Sequence, residues 1–121
     1  ISIEKKYLFG GYVKCQVSKI NQVFLNMLDN AIQAIRGAGK IKIETILEGN
    51  HCLISITDTG MGMDKETQNK VFEPFFTTKD IGKGTGLGLA ISYAIIKEHG
   101  GDITVDSEPG SGTTFIIKLP L

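Results

Sequence analysis

Six of the fifteen glycines in this 121-residue chain fall between Gly60 and Gly88, in two clusters, and no other feature restricts the fold as much. So local a concentration is not a linker, and it has no period that would make it collagen-like or a repeat. Glycines placed this way mark points where the backbone turns sharply or must be approached closely. The sequence on either side is that of a globular domain. Apolar residues make up 41%, enough for one core in a chain of single-domain length.

Periodicity supplies the elements around those clusters. Ile41, Ile43, Thr45 and Leu47 share one face of an extended segment, and Cys52, Ile54 and Ile56 share one face of the next. The break at Glu48, Gly49 and Asn50 makes the two a hairpin. Residues 1–5 and 11–16 are predicted as short strands. Residues 18–36 are predicted as a helix: Ser18 can cap it, Ile20, Val23, Phe24, Met27, Ala31, Ala34 and Ile35 keep its period, and Gly37 can end it. Asp64 is placed to cap a short helix that stops before Pro74. Residues 74–86 are predicted to be a mobile, glycine-rich segment. Thr85 then caps a helix through about Glu98, closed by Gly100, and strands near 101–106 and 112–119 flank the Pro109–Gly110 turn. This order gives a two-layer α/β sandwich, one sheet covered by three helices.

Three stretches carry chemistry. Gln22, Asn26, Asn30 and Gln33 form a polar stripe on the first long helix. Asparagine is a poor mid-helix residue. Two amides at i, i+4 can offer carbonyl oxygens to a hydrated Mg²⁺, although a plain solvated face accounts for the stripe as well. In the run from Asp58 to Met63 (DTGMGM), Asp58 continues the inward series of Cys52, Ile54 and Ile56. Its carboxylate therefore faces the core side and needs donors. Gly60 and Gly62 leave backbone bare for a flat ligand whose exocyclic amine can donate; the other reading has Asp58 capping its own turn. The third runs from Phe72 to Ala90, where Gly82, Gly84, Gly86 and Gly88 lead into a helix start. Bare backbone amides there suit a phosphate, with Lys79 and Lys83 close in sequence, and a hinged loop is the alternative. No Walker loop is present and no strand precedes the glycines as in a Rossmann turn. A fourth stretch, residues 109–115, is explained by a tight turn, although Thr113 can also reach a ligand.

Thirteen basic and thirteen acidic residues balance, so no global field favours nucleic acid or an anionic membrane, and a phosphate ligand must be held by local geometry. Cys15 and Cys52 form no CxxC pair, which argues against zinc and for two buried thiols in a reducing, cytoplasmic setting. No apolar run approaches the roughly 18 residues of a membrane span, so no membrane contact is expected of this stretch. Opening on Ile1, the chain reads as a piece of a longer protein, whose other parts can include a membrane anchor.

Taken in order, NMLDNA, DTGMGM, FEPFFTTK, GTGLGLAIS and HGGDITVDSEPGSGTTF resemble the nucleotide-binding boxes of two-component sensor histidine kinases. Their catalytic domain shares a superfamily with gyrase, the large heat-shock chaperones and the mismatch-repair ATPases. The resemblance spans about residues 15–120. It implies a mixed, mainly antiparallel sheet backed by three helices, with ATP and Mg²⁺ as ligands. It also implies that Asn30 holds Mg²⁺ with Asn26 beside it, and that Asp58 accepts from the adenine amine. Gly60, Gly62 and Met63 would shape the base pocket with Thr113 in support, and Lys79 would meet phosphate. The backbone of Gly82, Lys83, Gly84, Thr85, Gly86, Leu87, Gly88 and Leu89 would wrap the triphosphate. Hydrolytic members carry a glutamate where this chain has Asn26, which fits a kinase with a histidine acceptor rather than water activation. His51 and His99 lack the setting of a phosphoacceptor and read as structural. The implied partners are therefore a separate dimerisation domain bearing the acceptor histidine and, downstream, a response regulator. A protein-serine kinase or ATPase of the same superfamily, or a nucleotide sensor without catalysis, stands as the alternative.

Overall fold

The computed structural model describes residues 1–76 and 87–121 of the chain. Five strands and three helices follow in the order β1 (Ser2–Tyr7), α1 (Val17–Ala34), β2 (Lys40–Glu48), β3 (His51–Asp58), α2 (Lys65–Lys70), α3 (Gly88–Glu98), β4 (Asp102–Glu108) and β5 (Gly112–Pro120). The strands form one sheet, ordered β1-β2-β3-β5-β4. β1 runs parallel to β2, and every other pair is antiparallel. The mixed, mainly antiparallel sheet backed by three helices is the architecture that the sequence leads one to expect.

Strict alternation explains why one sheet face is dry. Cys52, Ile54 and Ile56 on β3 and Phe115, Ile117 and Leu119 on β5 are all buried, while their neighbours along each strand are half-buried. Ile20, Val23, Met27 and Ala31 of α1 fill the same core, with Ile95 and Ile96 of α3. Phe72, just after α2, lies 5.2 Å from Tyr93 and edge-on to Phe115 at 6.1 Å, so the first aromatic of the FEPFF run is a packing residue.

Several boundaries differ from the sequence expectation. Residues 11–16 form no strand. Val13 and Cys15 do pack against the core while Tyr12 is 96% exposed, so the alternation is real, but the segment has no ladder partner among the described residues. Helix α1 starts after Gln16, with Ser18 already inside its first turn. It ends at Ala34, where Ile35 turns extended and buries its side chain. Leu87 rather than Thr85 stands at the N-cap of α3, and Thr85 lies outside the described residues. The α2 cap is as expected: Asp64 accepts from the Thr67 amide at 2.8 Å. Asp64 is also held below the usual carboxylate range by that bond.

Two joints fasten α1 to α3. At one end His99 caps α3, its Nδ1 donating to Ile95 O at 2.8 Å while Nε2 accepts the Gln16 amide at 3.1 Å. Lys19 and Glu98 pair beside it at 3.1 Å. That arrangement makes His99 structural. The other joint, at Asn26, belongs to the site. No helix among the described residues is long and apolar enough to cross a membrane. Phe115 is only 1% exposed at the centre of the sheet. Phe115→Ala should cost about 3–5 kcal/mol of stability in urea unfolding. A loss under ~1 kcal/mol would mean that the core lies elsewhere.

Candidate functional site

The first half of the site is built where β3 ends. Alternation carries Asp58 to the inner face, where it is 2% exposed. Its Oδ1 accepts the Gly60 amide at 2.8 Å, and the Thr113 amide, opposite on β5, also supports it. Burial outweighs these bonds and holds the carboxyl above the usual aspartate range. Asp58 therefore does cap its own turn, as the more ordinary sequence reading has it.

The two glycines after it are demanded by the protein's own backbone. A Cβ on Gly60 would stand 2.4 Å from Ala34 O at the end of α1. One on Gly62, at φ 70°, would stand 1.9 Å from Glu108 O at the end of β4. The loop is pinned between those elements: the Met61 amide donates to Ala34 O at 3.0 Å, and the Gly110 amide donates to Met61 O at 2.7 Å.

Beneath the loop lies a polar pair that the sequence analysis does not single out. Ser107, buried on β4, donates to Gly112 O at 2.9 Å and lies 2.8 Å from Thr113 Oγ1. With its one proton spent on Gly112, Ser107 accepts from both the Thr113 hydroxyl and the Met63 amide, the latter at 2.8 Å. Gln68 of α2 spends its amide hydrogens on Met63 O and Ser107 O, at 3.0 and 2.9 Å. Thr113 and Met63 are thus linked to the Asp58 turn through two residues that the sequence analysis does not name. Ser107 left a signal, a polar side chain at an inward position in line with Ile103 and Val105; Gln68 left none.

The second half lies where α1 meets α3. Asn26 Nδ2 donates to Gly88 O and to Ser92 Oγ, each at 3.1 Å, and Ser92 donates to Gly88 O at 2.9 Å. Asn30, one turn further, is half-buried and makes no side-chain hydrogen bond among the described residues. The outer members of the amide stripe do not join them: Gln22 and Gln33 are exposed, and Gln33 bonds Asp29 at 2.7 Å. Leu87 and Leu89 are half-buried at the start of α3, and Leu89 packs on the core. Gly88 differs from Gly60 and Gly62. It carries no positive φ, and among the described residues a Cβ there would meet only Asn26, at an ordinary 3.7 Å. Glycine in place of alanine near a helix start forfeits up to about 1 kcal/mol, and the described structure gives no reason for it. Lys79, Gly82, Lys83, Gly84, Thr85 and Gly86 lie outside the described residues. Just before them Phe75 holds a φ of 64° and is 73% exposed.

Helix α1 connects the halves. Asn26 lies at the α3 end and Ala34 at the Asp58 loop, eight residues and about 12 Å apart along the axis, with Asn30 between them.

A mixed sheet under three helices, a buried aspartate opening a glycine turn, and paired asparagines facing a glycine-led helix define the class of histidine-kinase and gyrase-type ATPase domains. The chain belongs to the family described as histidine kinase-, DNA gyrase B- and HSP90-like ATPase, which matches residues 15–121. It is 46% identical over 110 residues to sporulation kinase E of Bacillus subtilis, covering 90% of this chain and 15% of that protein. It is 52% identical over 103 residues to the signal transduction histidine-protein kinase AtoS of Escherichia coli, covering 84% of this chain and 17% of AtoS. The chain thus spans a small part of the length of these relatives. The catalytic domain of the histidine kinase ThkA, in a nucleotide-free form, superposes with a TM-score of 0.84 at 33% identity, over 98% of this chain and 77% of that one.

The raised Asp58 carboxyl has a consequence for stability. A carboxyl whose folded-state value lies above its unfolded one favours folding while protonated, and that contribution is lost as pH rises through the folded value. Asp58→Asn has no such loss. Its stability relative to the parent chain should therefore climb as pH rises from below the ordinary aspartate range to neutrality. Urea unfolding of both proteins at a series of pH values tests this, since all other carboxylates cancel in the difference. A pH-independent difference would mean that Asp58 is not desolvated.

Proposed function

We propose that this domain binds ATP with magnesium and passes the γ-phosphate to a histidine on a separate dimerisation domain, from which a response regulator takes it. The observation that carries the reading is Asp58, a buried carboxylate that the Gly60 and Thr113 amides hold and whose oxygens can accept more bonds than those two. Such a group calls for a further donor. An adenine amine meets that demand, and a donor there favours the charged form that burial alone disfavours. Thr113 and Met63 stand around the same position through Ser107.

The donor set at the other end fits a magnesium ion that arrives on a triphosphate. Mg²⁺ takes oxygen ligands, keeps several waters and needs only one or two protein groups. Asn30 offers a carboxamide uncommitted among the described residues, and Asn26 offers Oδ1 because its nitrogen is already bound. Neutral amides suit an ion whose charge is already balanced by phosphate. When bound, the ion would neutralise charge on the transferring group. Asn30 would hold it, Asn26 would stand beside it, and the bare backbone at Gly88 leaves room for phosphate oxygens at a helix start. Lys79 and the backbone of residues 82–86 complete the phosphate contacts in this reading. No carboxylate stands at position 26 to activate water, which favours transfer over hydrolysis. His99 has both ring nitrogens occupied, and His51 stands in the β2–β3 ladder opposite Glu48; in this reading the acceptor histidine belongs to the separate dimerisation domain. The setting is cytoplasmic, where ATP is plentiful.

Incubating the chain with labelled ATP, magnesium and the dimerisation domain of a related kinase tests the proposal. Acid-labile, base-stable label on the acceptor histidine is the expected result. Asp58→Ala should weaken ATP and ADP alike by about ten- to a hundredfold, the value of a lost charge-assisted bond. Tight ATP binding with no label transferred to cognate-like acceptors would leave a nucleotide sensor instead. Unchanged ADP affinity in a folded Asp58→Ala would remove the base from this pocket.

A further inference from the structure

Ser92 is 0% exposed, one turn into α3, and nothing in the nucleotide reading requires a hydroxyl there. Its hydrogen bonds give it a use. Gly88 O can only accept, and it receives the Ser92 hydroxyl at 2.9 Å and Asn26 Nδ2 at 3.1 Å. With its proton given to Gly88 O, Ser92 Oγ in turn accepts from Asn26 Nδ2, at 3.1 Å. Both amide hydrogens of Asn26 are therefore claimed by α3. Turning the carboxamide over would set Oδ1 against Gly88 O, which can only accept, and would draw the Ser92 proton from Gly88 O to Oδ1, so the observed orientation is the one that satisfies all three groups. In that orientation Oδ1 lies beside the first turn of α3, 3.9 Å from where a Cβ on Gly88 would stand. It accepts no hydrogen bond from the described residues.

We propose that Ser92 is a positioning residue for Asn26: it fixes the carboxamide so that its oxygen, not its nitrogen, faces the phosphate–magnesium end of the site. The inference rests on the nucleotide reading above and adds a residue to it. An apolar residue at 92 would pack equally well and leave one amide hydrogen of Asn26 without an acceptor. The carboxamide would then be held by Gly88 O alone and could swing about that one bond, so its oxygen would no longer be fixed in one place. The effect should fall on the magnesium-dependent part of nucleotide affinity, because the base is bound about 12 Å away along α1.

Two measurements on the same chain test this. In ¹⁵N spectra of the ligand-free protein, the Asn26 side-chain amide should give one slowly exchanging pair of signals; in Ser92→Ala it should broaden or exchange faster. In titration calorimetry, Ser92→Ala should bind ATP about five- to tenfold more weakly with magnesium present. It should bind as the parent does when magnesium is chelated, and Ser92→Thr, which keeps the hydroxyl, should recover the loss. A fall in affinity of equal size with and without magnesium would show a merely structural role and overturn the proposal. So would a parent-like magnesium dependence in Ser92→Ala. If the parent chain bound ATP no better with magnesium than without, the functional reading would fall and the proposal with it, an outcome visible before any variant is made.

Discussion

The last turn of α1 leaves backbone carbonyls without helical partners, and one of them, Ala34 O, organises the base side of the site. It accepts the Met61 amide at 3.0 Å and comes so close to Gly60 that no side chain fits between them. The helix end thereby sets where the loop after β3 turns, and the turn sets where the Asp58 carboxylate is held. Since Asn26 on the same helix grips the start of α3, the separation of the two halves is a property of one rigid helix rather than of a loop. Val23, Met27 and Ala31, on the adjoining face of that helix, fix it to the sheet. Packing of the core and spacing of the site are thus a single constraint.

Charge is handled locally throughout. The chain as a whole is neutral, so nothing draws an anion toward it from a distance. What it offers is a desolvated carboxylate at one end and neutral oxygens beside a helix start at the other. This is an economical arrangement for a ligand with a donor-bearing base and a metal-neutralised tail. Each end alone would be weakly selective; the helix makes both necessary at once. The salt bridges among the described residues, such as Lys42–Glu44, Lys97–Asp102 and Lys40–Glu4, are solvent-accessible pairs of small individual weight, and none of these three touches Asp58, Asn26 or Asn30.

Much of this was legible in the sequence, for physical reasons that differ from element to element. The inward register of Asp58 followed from Cys52, Ile54 and Ile56, because a period of two leaves a strand residue no choice of face. Asp64 announced its helix because capping is local. The strand expected at 11–16 failed because alternation records burial, not pairing, and Val13 and Cys15 reach the core without a partner strand. Gly60 and Gly62 stood out in the sequence as bare backbone for a ligand, and the structure gives them another duty: they let Ala34 O and Glu108 O pass close by, which is a tertiary fact. Ser92 and Gln68 escaped notice for the same reason, since each acts on a residue far off in sequence. The role assigned to Asn26 gained content only from the structure, which shows its nitrogen bound to α3 and so fixes which atom remains for a ligand.

The central claim is that one nucleotide spans the helix, base on Asp58 and metal on Asn30. A crystal structure of this chain with magnesium and a non-hydrolysable ATP analogue tests it most directly. The expected result places the adenine amine within hydrogen-bonding distance of the Asp58 carboxylate and the metal ion on Asn30 Oδ1, about 2.0–2.1 Å away as magnesium requires. A nucleotide bound with its base remote from Asp58, or a metal ion held without Asn30, would contradict the account.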